Sequence, residues 1–327
     1  MHGIFEHRPG HQKLRGSGGR AGPASFPHEE ISITGRRFLM TQMEYAKPRS
    51  FKELDGIFES AKGPLRFIAG GTNVVPDLRA GTISPRLLVD LSGLKEMAYI
   101  REVKGEIAIG ALSTISDILA SRVICDKAPL LFQAARHLGS PLTRNRATIG
   151  GNLADASPAA DTAPSLLAMG AMVHTRRRRG KERTIPLDRF FLGPNKTILA
   201  KDEIITRITF AKPKDPSRGR YLKLGLRNAM TISVASLAVS LEPEGSSFGG
   251  ARIGLGAVAP TPVRAYLVEK KLASGAMDPK NIEACAQLIT KEISPISDIR
   301  ASADYRKRVV AVLFQRAIQA AVNGGTP

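Results

Sequence analysis

The sequence predicts an α+β protein: an α/β region from about residue 43 to 215, then an antiparallel sheet with helices from 216 to 327. Three observations predict it. In the first region, short apolar strand patterns alternate with helix patterns. Two Gly-Gly turns, at Gly70 and Gly150, interrupt that region. Beyond it, three strand patterns come in succession before two helix patterns, which is typical of an α+β arrangement.

The first region begins after a predicted tail. Residues 1–42 are rich in Gly, Pro, Arg and His and have no sustained apolar period, so we expect them to be disordered. Ser50 is a predicted helix cap, with Glu53 three residues later. Thr114 caps a second helix, and a third, over 130–138, ends at Gly139. Strands are expected at 65–69, 85–91 and 106–110, and a buried helix at 160–170.

The second region consists of strands followed by helices. Strands are expected at 221–226, 232–241 and 251–258, and helices at about 280–292 and 302–322. In the first of these helices Ile282, Cys285, Ala286 and Ile289 share one face, which predicts burial of that face.

Composition excludes several classes of protein. The two cysteines, Cys125 and Cys285, lie too far apart for a CxxC motif and are too few to ligate an iron–sulfur cluster. No apolar stretch of membrane-spanning length and no secretory signal is present, so we expect a cytoplasmic protein without a membrane span. The net charge of +19 favours an acidic partner.

One dense basic run occupies residues 176–183, between two apolar stretches. Strand, glycine turn and strand fit this pattern, and the run is interpreted as a solvated hairpin tip. No aromatic residue interrupts it, so no stacking platform for bases is indicated and no nucleic acid is expected as a partner.

The two Gly-Gly turns are the candidate binding loops. Residues 68–73 and 148–152 each place Thr and Asn beside two glycines. Backbone amides at such turns can converge on a phosphate, so two loops suit the two phosphates of a dinucleotide. Asp161 is a candidate for a ribose hydroxyl or flavin N–H, or else a helix N-terminal carboxylate. Each loop taken alone is equally compatible with a simple turn.

Other motifs are absent or misleading. Gly254-Leu255-Gly256 resembles the start of a dinucleotide fingerprint, but Pro260 and Pro262 follow and no helix can open there, so it is interpreted as a strand. The six histidines do not pair at metal spacing, and His137 is given a structural role. Without an acid, base or nucleophile set, a bound cofactor is expected to carry the chemistry.

These motifs resemble the FAD-binding medium subunit of molybdenum hydroxylases, the family of xanthine and carbon monoxide dehydrogenases. The resemblance extends from about residue 45 to 321. Its motifs are 69–73, 148–152, Ser157-Pro158 with Asp161, 202–205, Lys223, 227–233 and 298–306.

The resemblance implies a fold and a set of flavin contacts. The fold would be a two-lobed FAD-binding domain of the vanillyl-alcohol-oxidase (PCMH) type over 43–215, followed by a C-terminal α+β domain. The implied cofactor-binding residues, with no catalytic residue and no metal ligand, are Ile68, Ala69, Gly70, Gly71, Thr72, Asn73, Thr148, Gly151, Asn152, Asp161, Ile205, Lys223 and Ile232.

The resemblance also implies partners. A large subunit would hold molybdopterin and a small subunit two [2Fe–2S] clusters, while this chain would pass electrons through FAD to NAD or another acceptor. Three alternatives remain. They are a self-contained reductase like UDP-N-acetylenolpyruvoylglucosamine reductase, a basic nucleic-acid-binding protein, and a scaffold that has lost FAD.

Overall fold

The computed structural model describes residues 43–244, 247–276 and 278–323. The predicted tail at 1–42 lies outside these residues. Three sheets and a two-stranded ribbon make up the described strands, and the predicted α+β fold class is confirmed. No helix in these ranges has both the length and the apolar character needed to cross a membrane.

The first lobe contains a small parallel sheet in the order β1-β3-β2. Its first helix begins as predicted, because the Ser50 hydroxyl accepts a hydrogen bond from the Glu53 amide at 3.2 Å. Leu54 and Phe58 are the buried face of that helix. The elements are β1 (Glu44–Ala46), α1 (Phe51–Ser60), β2 (Leu65–Ile68), α2 (Val74–Arg79) and β3 (Leu87–Asp90).

The second lobe is built on a five-stranded antiparallel sheet in the order β4-β5-β10-β6-β7, with a ribbon of β8 and β9. Thr114 caps α3 in a capping box with Asp117, as the sequence indicates for a helix start. The elements are β4 (Ile100–Val103), β5 (Glu106–Gly110), α3 (Ile115–Ala120), α4 (Arg122–Lys127), α5 (Pro129–Arg136), α6 (Pro141–Arg144), α7 (Ile149–Asp155), α8 (Thr162–Ala168), β6 (Met172–Arg177), β7 (Glu182–Pro186), β8 (Phe191–Gly193), β9 (Lys196–Thr197) and β10 (Glu203–Ala211).

The C-terminal sheet has the strand order β11-β12-β13-β14. One face packs on α5 and α8 of the second lobe and the other on the last helices of the chain. The three strands predicted in this region are present, and their observed ends differ from the predicted ends by two to four residues. The elements are β11 (Gly219–Leu224), β12 (Ala235–Glu244), β13 (Ser247–Gly256), β14 (Val263–Arg264), α9 (Tyr266–Ala273), α10 (Pro279–Ile289) and α11 (Ala303–Val322).

The glycines of the rejected fingerprint have a packing role. They lie in β13, as interpreted, and a Cβ on Gly254 would meet the Pro164 carbonyl oxygen of α8 at 2.0 Å. Glycine at this position therefore permits α8 to lie directly on the C-terminal sheet. The predicted domain boundary near residue 215 stays a prediction.

The basic run forms the predicted hairpin of β6 and β7. Arg178, Arg179 and Arg183 are exposed, as its interpretation as a solvated tip predicts, and that interpretation is wrong only for Arg176, which is mostly covered. Arg176 pairs with Asp55 at 2.6 Å and lies over the Phe51 ring at 4.6 Å. Arg178 donates to the Phe58 carbonyl at 2.5 Å. These contacts attach one side of the hairpin to α1.

Candidate functional site

A cleft of about 790 Å³ separates the first lobe from the second. Its walls are the end of β2 with the following loop, the start of α7, and the segment that leads into β10. Nine of the thirteen predicted cofactor-binding residues line it, and these are Ala69, Gly70, Gly71, Thr72, Asn73, Thr148, Gly151, Asn152 and Ile205. The cleft therefore brings together loops that are about 80 residues apart in the sequence.

The first loop, residues 69–73, leaves its backbone donors available. Within the described part of the chain, none of the amides from Gly70 to Val74 donates a hydrogen bond to protein. Gly71 has a φ of +73°, a left-handed conformation that glycine adopts without steric cost. Polar backbone groups without a protein partner need water or a ligand, so this loop is a ready donor set.

In the second loop, residues 148–152, the backbone amides after Thr148 already donate to protein groups. The amide of Ile149 donates to Ser113, that of Gly150 to Ala111 at 2.9 Å, and that of Gly151 to the Thr148 hydroxyl at 3.0 Å. The amide of Asn152 continues α7 by donating to the Thr148 carbonyl. The prediction that both loops offer free backbone amides is therefore wrong for the second loop. Its donors for a ligand are side chains.

The glycines also permit close packing of the chain beside the cleft. A Cβ on Gly70 would lie 1.8 Å from the Arg146 carbonyl oxygen, and one on Gly150 would lie 2.6 Å from the Ala111 Cβ. Either methyl group would separate segments that now touch. Gly70 thus lets the first loop lie against the residues just before the second loop, and Gly150 lets the start of α7 lie against Ala111.

Asp161 and Lys223 do not line the cleft. They form a buried ion pair at 2.8 Å, and Asp161 also accepts hydrogen bonds from Ser233 at 2.9 Å and Tyr221 at 3.3 Å. Burial raises the pKa of the Asp161 carboxyl, and the Lys223 ammonium and the two hydroxyls oppose that rise. Burial together with the Asp161 charge raises the pKa of Tyr221 well above its ordinary value.

This pair lies directly behind the cleft wall. Lys223 Nζ donates to the His137 carbonyl at 3.0 Å, beside the wall residue Leu138. Thr162, the neighbour of Asp161, donates to the Asn152 side chain at 2.6 Å. Burial, followed by the Lys223 charge, lowers the pKa of His137, which keeps the ring neutral. The ion pair is thus connected to two parts of the cleft wall, to Leu138 through His137 and to Asn152 through Thr162.

The remaining two predicted residues are also outside the cleft lining. Ile68 ends β2 and its side chain packs beneath Gly71. Ile232 is 53% exposed, in the loop between β11 and β12. That loop is held by Arg227, whose guanidinium donates to the Met230 carbonyl at 2.6 Å.

Two ionic networks were not predicted from the sequence. Glu203, fully buried at the start of β10, pairs with Arg183 at 2.6 Å. Arg306 on α11 donates to the Val234 and Ala257 carbonyls at 2.7 and 2.8 Å and pairs with Asp298. The sequence contained one indication of these networks: Glu203, Asp298 and Arg306 are charged residues within motifs 202–205 and 298–306 of the family resemblance. Asp298 lies 8 residues before Arg306, but the other partners lie 20 to 72 residues away, beyond any local pattern.

Two family models match the chain. The model of the FAD binding domain in molybdopterin dehydrogenase matches residues 41–213. The model of the CO dehydrogenase flavoprotein C-terminal domain matches residues 220–321. Together they cover both lobes and the C-terminal sheet with its helices.

Similar proteins are medium chains. The glyceraldehyde dehydrogenase medium chain of Sulfolobus acidocaldarius is 31% identical over 278 residues, which is 85% of this chain and 98% of the relative. The nicotine 6-hydroxylase medium subunit of Paenarthrobacter nicotinovorans is 31% identical, covering 84% and 96%. The solved structure of carbon monoxide dehydrogenase from Hydrogenophaga pseudoflava aligns with a TM-score of 0.82 at 29% identity, covering 87% of this chain and 99% of that one.

Proposed function

The chain belongs to the FAD-binding medium subunits of the molybdenum hydroxylase family, and on that premise we propose that it is the electron-transfer subunit of a heteromeric dehydrogenase. It would take electrons from [2Fe–2S] clusters in a small partner and pass them through FAD to NAD or another acceptor. A large partner would hold the molybdopterin and oxidise the substrate. FAD, when bound, supplies the ability to take up and release electrons.

One observation carries this proposal. The backbone amides from Gly70 to Val74, which donate no hydrogen bond within the described part of the protein, belong to residues that line a cleft between two lobes. Such a donor set suits the negative charge of a diphosphate. The cleft volume of about 790 Å³ is in the range of cofactor sites. The residues present therefore fit FAD.

The chain's own groups would divide the binding task. The first loop would supply backbone amides and the Thr72 hydroxyl. The second would supply the Thr148 hydroxyl and the side-chain amide of Asn152, because its backbone amides already donate hydrogen bonds within the protein. Ile205 would contribute backbone and apolar contact from β10. We extend the proposal to Ile68, which would support the first loop from below.

Asp161, Lys223 and Ile232 complete the proposed contacts. The ion pair would act from behind the wall made by Leu138 and Asn152, and Ile232 would cover the flavin from the exposed loop. The protein thus positions and shields the cofactor, while the isolated chain is not expected to hydroxylate a substrate.

Titration of the purified full-length chain with FAD tests the proposal. We expect a yellow protein with saturable binding and a loss of at least ten-fold in affinity in Gly70→Ala, because a Cβ would force the Arg146 carbonyl away. Gly56→Ala is the matched control: no atom outside its own helix lies within 4 Å of that Cβ, and its affinity should equal wild type. A chain that binds no FAD contradicts the proposal. Rapid NADPH oxidation by the chain alone would instead support the self-contained reductase.

A further inference from the structure

Glu203 is a buried carboxylate in the cleft wall to which the proposed flavin contacts assign no role. It begins β10 and lines the cleft, yet its side chain has no exposed surface. A buried charge is costly unless it is paired and hydrogen-bonded, so its partners indicate what it does.

Both carboxylate oxygens are fully engaged. Oε1 accepts from the Thr175 hydroxyl at 2.5 Å and from Arg183 Nε at 2.6 Å. Oε2 accepts from Arg183 Nη2 at 2.7 Å and from the Ala200 amide at 3.0 Å. Burial raises the pKa of Glu203, but these donors more than offset it and lower the pKa below its ordinary value. The group is ionised at neutral pH.

Two of these contacts hold the cleft wall. The Ala200 amide is bound directly, and Arg183 Nη2 also donates to the Ile198 carbonyl at 2.9 Å. The segment between and beyond these anchors, Leu199, Ala200 and Lys201, lines the cleft. Without the carboxylate, this loop loses the partner of the Ala200 amide and the group that orients Arg183 towards Ile198, and keeps the backbone hydrogen bonds from Glu203 to Ala200 and from Ile198 to Phe190.

We propose that Glu203 is a positioning residue for the cofactor, which fixes the 198–201 wall of the cleft through the Ala200 amide and the Arg183 guanidinium. The inference rests on the proposed function, since it takes FAD as the occupant. It gives the last arginine of the basic run a place in the site: its fork spans the carboxylate and the wall carbonyl, which a single ammonium cannot do.

Glu203→Gln tests this with little change of shape. Glutamine places an NH₂ donor where one oxygen now accepts, so it opposes either the Ala200 amide or the Arg183 guanidinium. We expect the FAD dissociation constant of the full-length chain to rise about ten-fold or more, since hydrogen bonds to charged groups lie in that range. Amide hydrogen exchange at 199–201 should accelerate in the same variant.

Thr175→Val is the matched control. It removes a hydrogen bond from the same carboxylate but leaves both wall contacts in place. It should lower the melting temperature while leaving FAD affinity within about two-fold of wild type. Arg183→Lys, which keeps the charge and leaves the carboxylate its Thr175 and Ala200 partners, is the second test if Glu203→Gln does not fold. It should weaken FAD binding several-fold.

The outcomes separate the two proposals. If wild type binds FAD and Glu203→Gln or Arg183→Lys binds it no more weakly than Thr175→Val, the positioning role is overturned and the proposed function stands. If wild type binds no FAD, both are overturned. Weaker binding together with faster exchange at 199–201, in the wall variants alone, supports the positioning role.

Discussion

At the scale of single residues, paired charges in this chain act by fixing the backbone. Arg306 and Asp298 show this away from the cleft, where the arginine binds the carbonyls of Val234 and Ala257. Burial acts to raise the pKa of Asp298, but hydrogen bonds from the Arg300 amide, Arg306 and the Arg300 guanidinium outweigh it and lower the pKa to about 2. The carboxylate is thus more stable in the folded protein than in the unfolded chain.

This predicts an acid-dependent loss of stability. A depressed pKa contributes stability that is complete above the ordinary value near 4 and is lost as pH falls through about 2. Asp298→Asn should lower the free energy of unfolding by about 1 kcal/mol at pH 7, since solvent screens part of the interaction, and the difference from wild type should narrow below pH 5. Urea unfolding between pH 7 and pH 3 measures it.

The control for this prediction is Asp126→Asn, a change of the same charge at an exposed position of α4. It should change stability by less than about 0.5 kcal/mol over the same range. A difference for Asp298→Asn that stays constant from pH 7 to pH 3 would show that the carboxylate charge is not the source of its stability.

At the scale of elements, glycine decides how closely segments approach. The sequence predicted Gly-Gly turns from composition, but their role in packing depends on which segment arrives opposite. Gly254 is the clearest case, since α8 comes from 90 residues earlier in the chain. Small residues in a strand permit the close approach of another backbone.

Gly254→Ala should therefore destabilise the protein by about 3 kcal/mol, because its Cβ would lie 2.0 Å from the Pro164 carbonyl oxygen. Gly250→Ala in the same strand is the comparison, as its Cβ would make only ordinary contact, at 3.5 Å from Glu242. That variant should remain within about 0.5 kcal/mol of wild type. Equal melting temperatures for the two variants would disprove the packing role of Gly254.

At the scale of the whole molecule, β12 joins two hydrophobic cores. Ala238 faces the core of the second lobe, whereas its neighbours Leu237 and Val239 face the C-terminal helices. Alternate residues of a strand point to opposite faces, so one strand is shared by both cores. If β12 left the sheet, apolar side chains of both cores would become exposed to solvent.

We therefore expect a single unfolding transition by calorimetry, and FAD at 100 times its dissociation constant should stabilise the whole of it by about 2.7 kcal/mol. The shift should be absent in Gly70→Ala if that variant does not bind FAD. Two separate transitions, of which FAD moves only one, would contradict the shared-strand argument.

The features that could be predicted from the sequence are local. The caps at Ser50 and Thr114, the strand at 106–110 and the buried face of α10 follow from side-chain chemistry and apolar period within a few residues. The paired glycine loops were also recognisable, because their composition is unusual wherever they lie. Most predicted element ends were correct to within a few residues.

Which groups meet depends on the packing of distant segments. In the folded chain the backbone amides of the second loop donate to other protein groups, Glu203 pairs with Arg183, and Asp161 pairs with Lys223 behind the cleft wall. The strand order β4-β5-β10-β6-β7 likewise pairs segments far apart in the chain. Hydrogen bonds and ion pairs form through space, and no local period in the sequence indicates which distant partner will satisfy a given donor or charge.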